Sequence, residues 1–103
     1  MTSWLPFRYR DFHDFPRAIV VEYKGALYFF DCLFDPKLDD YPDEYCVYRI
    51  TDESIRNRID SISWTDLGNR SLRIGAVPTN AVEFDITRRR TLNARVFELL
   101  GLK

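Results

Sequence analysis

Residues 17–34, RAIVVEYKGALYFFDCLF, are rich in β-branched and aromatic side chains and decide the fold of this chain. Such side chains favour strands, and Lys24 and Gly25 divide the stretch into residues 17–23 and 26–34. A glycine in a two-residue connection supplies the positive φ that hairpin turns require. The stretch therefore predicts a β-hairpin.

The two-residue turn predicts which residues face each other across the hairpin: Tyr23 and Ala26, Val21 and Tyr28, Ile19 and Phe30. Opposed residues share one face of a sheet, and successive residues alternate between faces. One face is then formed by Ile19, Val21, Tyr23, Tyr28, Phe30 and Cys32, and the reverse face by Val20, Leu27, Phe29 and Leu33. Because its second strand is apolar on both sides, we expect a central strand that is covered twice.

The segment after the hairpin predicts a third strand and a short helix. Residues 44–50, EYCVYRI, read as a strand antiparallel to the second. Asp52 and Glu53 then suit the first turn of a helix over residues 52–59, with Ile55, Ile59 and Ile62 on one side. The following residues 61–67 could be a strand, and the alternation of Leu72, Ile74 and Ala76 beyond the break at Gly68 suggests another hairpin.

The C-terminal part of the chain predicts one more strand and a closing helix. Residues 81–87 alternate, so we expect Val82, Phe84 and Ile86 to face inward. A helix is expected from Thr91 as N-cap to Gly101 as the stop, with its buried face made by Leu92, Val96, Leu99 and Leu100.

Together these elements predict a single domain over residues 1–103 of the α+β class. We expect a small, strongly curled antiparallel sheet, SH3-like or a partly open barrel, with a short middle helix and a C-terminal helix.

The net charge of −1 hides an uneven distribution along the chain. Residues 31–60 hold nine acidic and four basic side chains, whereas residues 61–103 hold four acidic and seven basic ones. A general nucleic-acid-binding protein normally has one broad basic face, so this distribution argues against that class.

The apolar runs and the cysteines indicate the cellular location to expect. No uninterrupted apolar run can span a bilayer, and the N-terminal residues do not resemble a secretory signal, so we expect a cytoplasmic protein without membrane attachment. Cys32 and Cys46 are too few for a disulfide framework or a four-cysteine zinc site, and we expect both to be reduced.

The acidic and tyrosine-rich residues 35–48 are the most function-like feature. The simplest interpretation is a solvated connection whose acids keep the sheet edge soluble. A functional interpretation is a surface for a basic protein partner, since tyrosines offer contact area beside carboxylates. The residues predicted to bind such a partner are Asp39, Asp40, Tyr41, Asp43, Glu44 and Tyr48.

Metal binding by this stretch is disfavoured. Its acids lack the alternating Asp/Asn pattern and the central glycine of an EF-hand loop, and Pro36 and Pro42 restrict wrapping around an ion. We therefore expect neither a metal nor a cofactor.

Catalysis is also disfavoured. His13, the lone histidine, has Asp11 and Asp14 nearby and could in principle activate a cysteine, but both cysteines lie in apolar surroundings that oppose thiolate formation. Phosphate-binding glycine loops and hydrolase motifs are lacking in the sequence. We do not expect an enzyme.

The sequence thus favours a non-enzymatic protein-interaction module, such as an inhibitor, an immunity-type protein or an accessory subunit, with a homodimer possible. The alternative is a single-stranded nucleic-acid-binding domain that uses Arg88, Arg89 and Arg90 with sheet aromatics. These arginines could equally form a solvated connector, or pair with the acidic segment within the chain or across a dimer.

Overall fold

The predicted hairpin lies in the middle of a six-stranded antiparallel sheet in the structure, a computed structural model that describes residues 3–102. The strand order is β5-β4-β3-β2-β1-β6. In chain order the elements are β1 (Trp4–His13), β2 (Phe15–Tyr23), β3 (Ala26–Asp31), β4 (Glu44–Ile50), α1 (Glu53–Arg56), β5 (Leu72–Pro78), β6 (Thr91–Asn93) and α2 (Arg95–Leu99). The predicted α+β class is confirmed.

The register of the hairpin is the predicted one, with Val21 opposite Tyr28 and Ile19 opposite Phe30. Lys24 and Gly25 have φ angles of 50° and 85°, as the tight turn requires. The second strand of the hairpin, β3, ends at Asp31 and not at residue 34 as predicted. The Asp31 carboxylate accepts a hydrogen bond from the Leu33 N–H at 3.1 Å, and the chain leaves the sheet there.

Both faces of β3 are covered, as predicted. One core contains Tyr28 and Phe30, and it is closed by the C-terminal residues Leu92, Val96 and Phe97. The other core contains Leu27 and Phe29, and it is closed by the segment after β4 through Ile55, Ile59, Trp64 and Leu67.

The strand β1 was not predicted. It pairs with β2 along most of its length, with Phe7 opposite Val21 and Tyr9 opposite Ile19. Asp14 forms the sharp connection between them with a φ of 67°. The other edge of β1 pairs with β6, so the N-terminal residues form part of the sheet instead of an irregular segment.

The middle segment differs from the prediction in its details. α1 ends at Arg56, not at residue 59, although Ile55 and Ile59 are buried as their spacing predicted. Asp52 caps the helix by accepting a hydrogen bond from the Ser54 N–H at 2.9 Å. Residues 61–67 form turns, and β5 pairs with β4 in place of the predicted second hairpin.

The predicted strand over residues 81–87 is wrong. A short 3-10 turn, Thr79–Ala81, precedes an irregular segment in which Val82 is buried but Ile86 is fully exposed. The side chain of Asp85 accepts hydrogen bonds from the Thr87 hydroxyl and the Thr91 N–H, which folds this segment into a turn. That turn directs Ile86 into solvent.

The C-terminal helix is shorter than predicted and begins later. Thr91 lies in β6, where Leu92 is buried as a strand residue opposite Leu5 of β1, and Ala94 is the N-cap of α2. Leu99 is mostly exposed, so its predicted place on the buried face is also wrong. The stop at Gly101 is correct, with a φ of 80°.

The sheet does not close on itself. β5 and β6 end its strand order, so this is an open sheet, and the strongly curled, SH3-like form stays a prediction. In the described part of the chain, no helix has the length and apolar character needed to cross a membrane.

The buried position of Phe30 on β3 generates a first prediction. Phe30 is 0% exposed, so Phe30→Ala should lower the free energy of unfolding by about 3–5 kcal/mol through lost burial and a residual cavity. Chemical denaturation measures the change. Ile86→Ala is the matched control, since Ile86 is 100% exposed and should change stability by no more than about 0.5 kcal/mol. A Phe30→Ala loss below about 1 kcal/mol would contradict the doubly covered strand.

Candidate functional site

The acidic connection, residues 32–43, joins β3 to β4 and folds back on itself. The Asp35 N–H donates to the Asp40 carbonyl at 2.9 Å, and the Asp35 carboxylate accepts from the Lys37 N–H at 2.9 Å. Asp39, with a φ of 53°, lies within this turn. The connection therefore has a defined backbone conformation.

The predicted partner-binding residues fall into two groups. Asp39, Asp40, Asp43 and Glu44 are exposed, whereas Tyr41 and Tyr48 are half-buried. In residues 3–102 the ion pairs are formed by other carboxylates: Asp14, Glu22, Asp52, Glu53 and Asp60. The exposed group therefore takes part in none of the ion pairs of the described chain.

Tyr41 attaches the acidic connection to the first hairpin of the sheet, which is formed by β1 and β2. Its ring stacks on the ring of His13, with centroids 4.9 Å apart and an interplanar angle of 17°. The guanidinium carbon of Arg17 lies 4.3 Å from the centroid of the same ring. Phe34 packs edge-on against it at 5.6 Å. Through these contacts, the connection packs against the hairpin formed by β1 and β2.

Arg17 is only 7% exposed, although it makes no ion pair with a described carboxylate. Its guanidinium lies between the rings of Phe15, at 3.9 Å, and Tyr41. Its Nε donates to the His13 carbonyl at 2.9 Å, and its Nη1 donates to the Cys32 sulfur at 3.4 Å. Aromatic faces and neutral acceptors thus stabilise this buried cation.

The Cys32 thiol is part of this arrangement and is not arranged as a nucleophile. It donates to the Pro42 carbonyl at 3.3 Å while accepting from Arg17. Burial raises the pKa of Cys32, an effect that the hydrogen bond from Arg17 only partly offsets. His13 stacks on Tyr41 and is exposed, so the structure does not bring the imidazole to this thiol as a base.

A groove of about 310 Å³ opens beside the acidic connection, and we call it the acidic groove. Three carboxylates line it, those of Asp31, Asp35 and Glu44. Its remaining lining residues are apolar or weakly polar: Leu33, Phe34, Pro36, Pro42, Cys46 and Tyr48. Of these residues, Glu44 and Tyr48 belong to the predicted partner-binding set.

The sheet ladder positions the inner end of the acidic groove. Asp31 and Cys46 face each other across β3 and β4, and Phe29 faces Tyr48 one step along the same face. The cover of this face, which includes Trp64, packs on Phe29, so the groove lies at the end of the face beyond it. Asp31 and Cys46 were missed as site residues, although the predicted strand pairing of residues 26–34 with 44–50 was the signal that could have brought them together.

Burial shifts the pKa of two groove residues, Asp31 and Tyr48. It raises the pKa of Asp31, and the hydrogen bond from the Leu33 N–H opposes that shift. It also raises the pKa of Tyr48, with further contributions from the neighbouring Cys46 and Asp31 and a small opposing one from Arg73. A half-buried carboxylate whose charged form is disfavoured is poised to gain from a cation.

Arginines that line two of the larger cavities are engaged internally. One of about 520 Å³ is lined by Arg8 and Arg56, which pair with Asp60 at 2.9 Å and Glu22 at 2.6 Å. Another, of about 430 Å³, is lined by Arg88, whose Nη1 donates to the Asp14 carbonyl. The carboxylates of the acidic groove lack such ion pairs among the described residues.

The arginine run, Arg88 to Arg90, contacts the hairpin formed by β1 and β2. Arg89 donates to the Tyr9 hydroxyl at 3.1 Å, and its guanidinium lies 4.2 Å from the ring centroid of Phe12. The backbone carbonyl of Arg90 accepts from the Phe7 N–H. These contacts connect the arginine run to β1. The alternative in which these arginines pair with the acidic segment of the same chain is not formed among the described residues.

No group of three or more His, Cys, Asp or Glu side chains within residues 3–102 is arranged to hold a metal ion.

Comparisons of the chain with known protein families, with curated proteins and with solved structures find no match.

The raised pKa of Asp31 generates a second prediction. Because the folded state binds the proton more tightly than the unfolded chain, the charged carboxylate costs stability above the folded pKa and nothing below about pH 4. Asp31→Asn keeps an oxygen for the Leu33 N–H and should be as stable as the wild type or more stable at pH 7. This advantage should vanish at pH 3 in denaturant titrations.

Asp52→Asn is the control with the opposite sign. Hydrogen bonds from Ser54 lower the pKa of Asp52, so its charge stabilises the fold above the unfolded pKa and the benefit is lost as the pH falls. The Asn variant should therefore be the less stable protein at pH 7. Marked destabilisation by Asp31→Asn at pH 7 would mean that the Asp31 charge is compensated inside the protein.

Proposed function

We propose that the protein is a non-enzymatic protein-interaction module that binds a basic partner through the aromatic-acidic surface of residues 35–48. An inhibitor, an immunity-type protein or an accessory subunit acts in this way. The observation that carries the proposal is an exposed set of carboxylates without ion pairs in the described chain, on a connection that Tyr41 packs against His13 and Arg17.

Rigidity supports the proposal because a partner need not order the connection on binding. The contacts of Tyr41 with His13 and Arg17 and the turn between Asp35 and Asp40 already define its conformation. Binding to a preorganised surface avoids much of the entropic cost of ordering a loop. Clustered surface charge further accelerates association with an oppositely charged protein.

Apolar side chains beside the charges also support an interface. Leu38 is 61% exposed and Phe34 is 48% exposed, and both lie in the acidic connection. Interfaces combine an apolar centre, often aromatic, with a charged rim. This arrangement suits a protein partner better than a small ion.

A non-enzymatic role in the cytoplasm is consistent with the two free cysteines. Cys32 is buried and its pKa is raised, which opposes formation of the thiolate that a cysteine nucleophile needs. Unpaired thiols are typical of a reducing compartment.

The third prediction tests the carboxylates directly. The combined variant Asp39→Asn, Asp40→Asn, Asp43→Asn and Glu44→Gln should lose most of the protein partner captured by the wild type from native lysate, as measured by quantitative mass spectrometry. With the purified partner, the variant should associate more slowly and with a weaker dependence on salt. The amides preserve shape: Asn tolerates the positive φ of Asp39, and at position 40 it can still accept from the Tyr41 N–H.

A variant with the same change in charge elsewhere is the control. Asp11→Asn, Asp66→Asn, Glu83→Gln and Glu98→Gln replace four exposed acids that form no ion pair among residues 3–102. This variant should capture the partner as the wild type does. Equal losses in both variants would reduce the effect to net charge, and no loss in the first would refute the proposal.

The alternative of single-stranded nucleic-acid binding is supported less well. Arg88 already contacts Asp14 and Arg89 contacts β1, and the aromatics Phe29 and Phe30 are 0% exposed and unable to stack on bases. The acidic connection would also repel phosphate.

The fourth prediction follows from these contacts. We expect no binding of a single-stranded oligonucleotide tighter than micromolar near physiological salt, measured by fluorescence anisotropy. A nanomolar affinity with a steep salt dependence, flattened by replacing Arg88, Arg89 and Arg90 with Ala, would reverse the order of the two functions.

A further inference from the structure

The acidic groove has a strongly negative lining. Asp31, Asp35 and Glu44 contribute carboxylates, and none of its lining residues is basic. Within the described chain, the only hydrogen bond to the Asp31 side chain comes from the Leu33 N–H. The groove is therefore complementary in charge to a cation that approaches from solvent.

The walls of the acidic groove favour a flat cation. Phe34 and Tyr48 supply aromatic surface, while Pro36 and Pro42 add rigid apolar surface. A guanidinium group stacks on aromatic rings and donates several hydrogen bonds from a planar fork, which suits a groove that combines carboxylates with aromatic surface. A lysine ammonium is a compact, strongly hydrated charge, and it gains less from such walls.

The same protein already stabilises a guanidinium in this way. Arg17 lies between the rings of Phe15 and Tyr41, and its polar atoms bind a carbonyl and a sulfur. The acidic groove offers aromatic surface together with the sulfur of Cys46, and it adds the carboxylates that the Arg17 site lacks.

We infer that the acidic groove receives an arginine side chain of the basic partner, with the guanidinium against the carboxylate of Asp31 and beside Phe34 and Tyr48. This inference rests on the proposed function and names its recognition element. It adds Asp31, Phe34 and Cys46 to the residues of the surface and makes Asp31 the residue that determines specificity.

The half-buried position of Asp31 supports this assignment. Its carboxylate is partly withdrawn from water on β3, and burial raises its pKa, so its charge is poorly compensated in the free protein. A bound guanidinium would supply the missing compensation. The side chain then has a binding role that offsets its cost to the fold.

Nα-acetyl-arginine amide is the probe for the test, titrated into ¹⁵N-labelled full-length protein and followed by NMR. We expect saturable amide shifts centred on residues 31, 33, 34, 46 and 48. The neutral isostere Nα-acetyl-citrulline amide should give none, and Nα-acetyl-lysine amide should bind more weakly. Asp31→Asn should weaken arginine binding by about tenfold or more, since a charged hydrogen-bond partner is lost.

Asp66→Asn is the matched control, because Asp66 is exposed and does not line the acidic groove. It should leave the arginine affinity unchanged. The inference is overturned if the shifts fall outside the groove, if they persist unchanged in Asp31→Asn, or if citrulline binds as arginine does. Equal affinity for lysine would overturn the assignment of a guanidinium.

Partner capture separates this inference from the proposed function. If the four-amide variant loses the partner while Asp31→Asn retains it with full affinity, the interaction surface stands and the arginine site fails. If arginine binds the groove but no partner depends on residues 39–44, the arginine site stands and the proposed function fails.

Discussion

The apolar character of β3 on both sides is the constraint on which the rest of the structure depends. Phe29 and Phe30 point to opposite faces and are both 0% exposed, so one cover cannot bury them. The C-terminal segment covers Phe30 with Phe97, and the segment after β4 covers Phe29 with Trp64. The segment after β4 is short and does not reach Asp31 and Cys46. The acidic groove lies at this uncovered end of the face.

The buried Arg17 links β2 to the acidic connection. Its guanidinium lies between an aromatic ring from its own strand and Tyr41 from the connection, and its hydrogen bonds reach His13 and Cys32. Desolvated cation–π contacts of this kind contribute up to about 2 kcal/mol. The connection is consequently packed against a central strand, and its acids are presented from a fixed backbone.

The sequence predicted what local chemistry determines. The turn at Lys24 and Gly25 and the alternation around it specified the register, and the run of residues 44–50 gave the bounds of β4 correctly. The strand β1 was missed although Leu5, Phe7 and Tyr9 alternate with polar or proline residues. A weaker alternation that continues an existing sheet is stabilised by its neighbour.

Other features depend on contacts between distant residues. The position of Ile86 is decided by hydrogen bonds of the Asp85 carboxylate, which override an alternating pattern. The burial of Arg17 depends on Tyr41, a residue of another element, and no local periodicity indicates it. Four of the predicted site residues are exposed as acids on a loop should be, but Asp31 became a candidate only through its pairing with Cys46.

The arginine run does not neutralise the acidic connection, and this leaves the proposed surface available to a basic partner. Had Arg88, Arg89 or Arg90 paired with the acidic connection, its charge would be compensated and a basic partner would have to displace an internal one. Instead, Arg88 and Arg89 donate to Asp14 and Tyr9 on the first hairpin. The carboxylates of Asp39, Asp40, Asp43 and Glu44 therefore stay exposed without an ion pair in the described chain, and under the proposed function their charge attracts a basic protein over about a Debye length. In the proposed mode of binding, this charge brings the partner to the surface, and the acidic groove then selects the side chain that enters it.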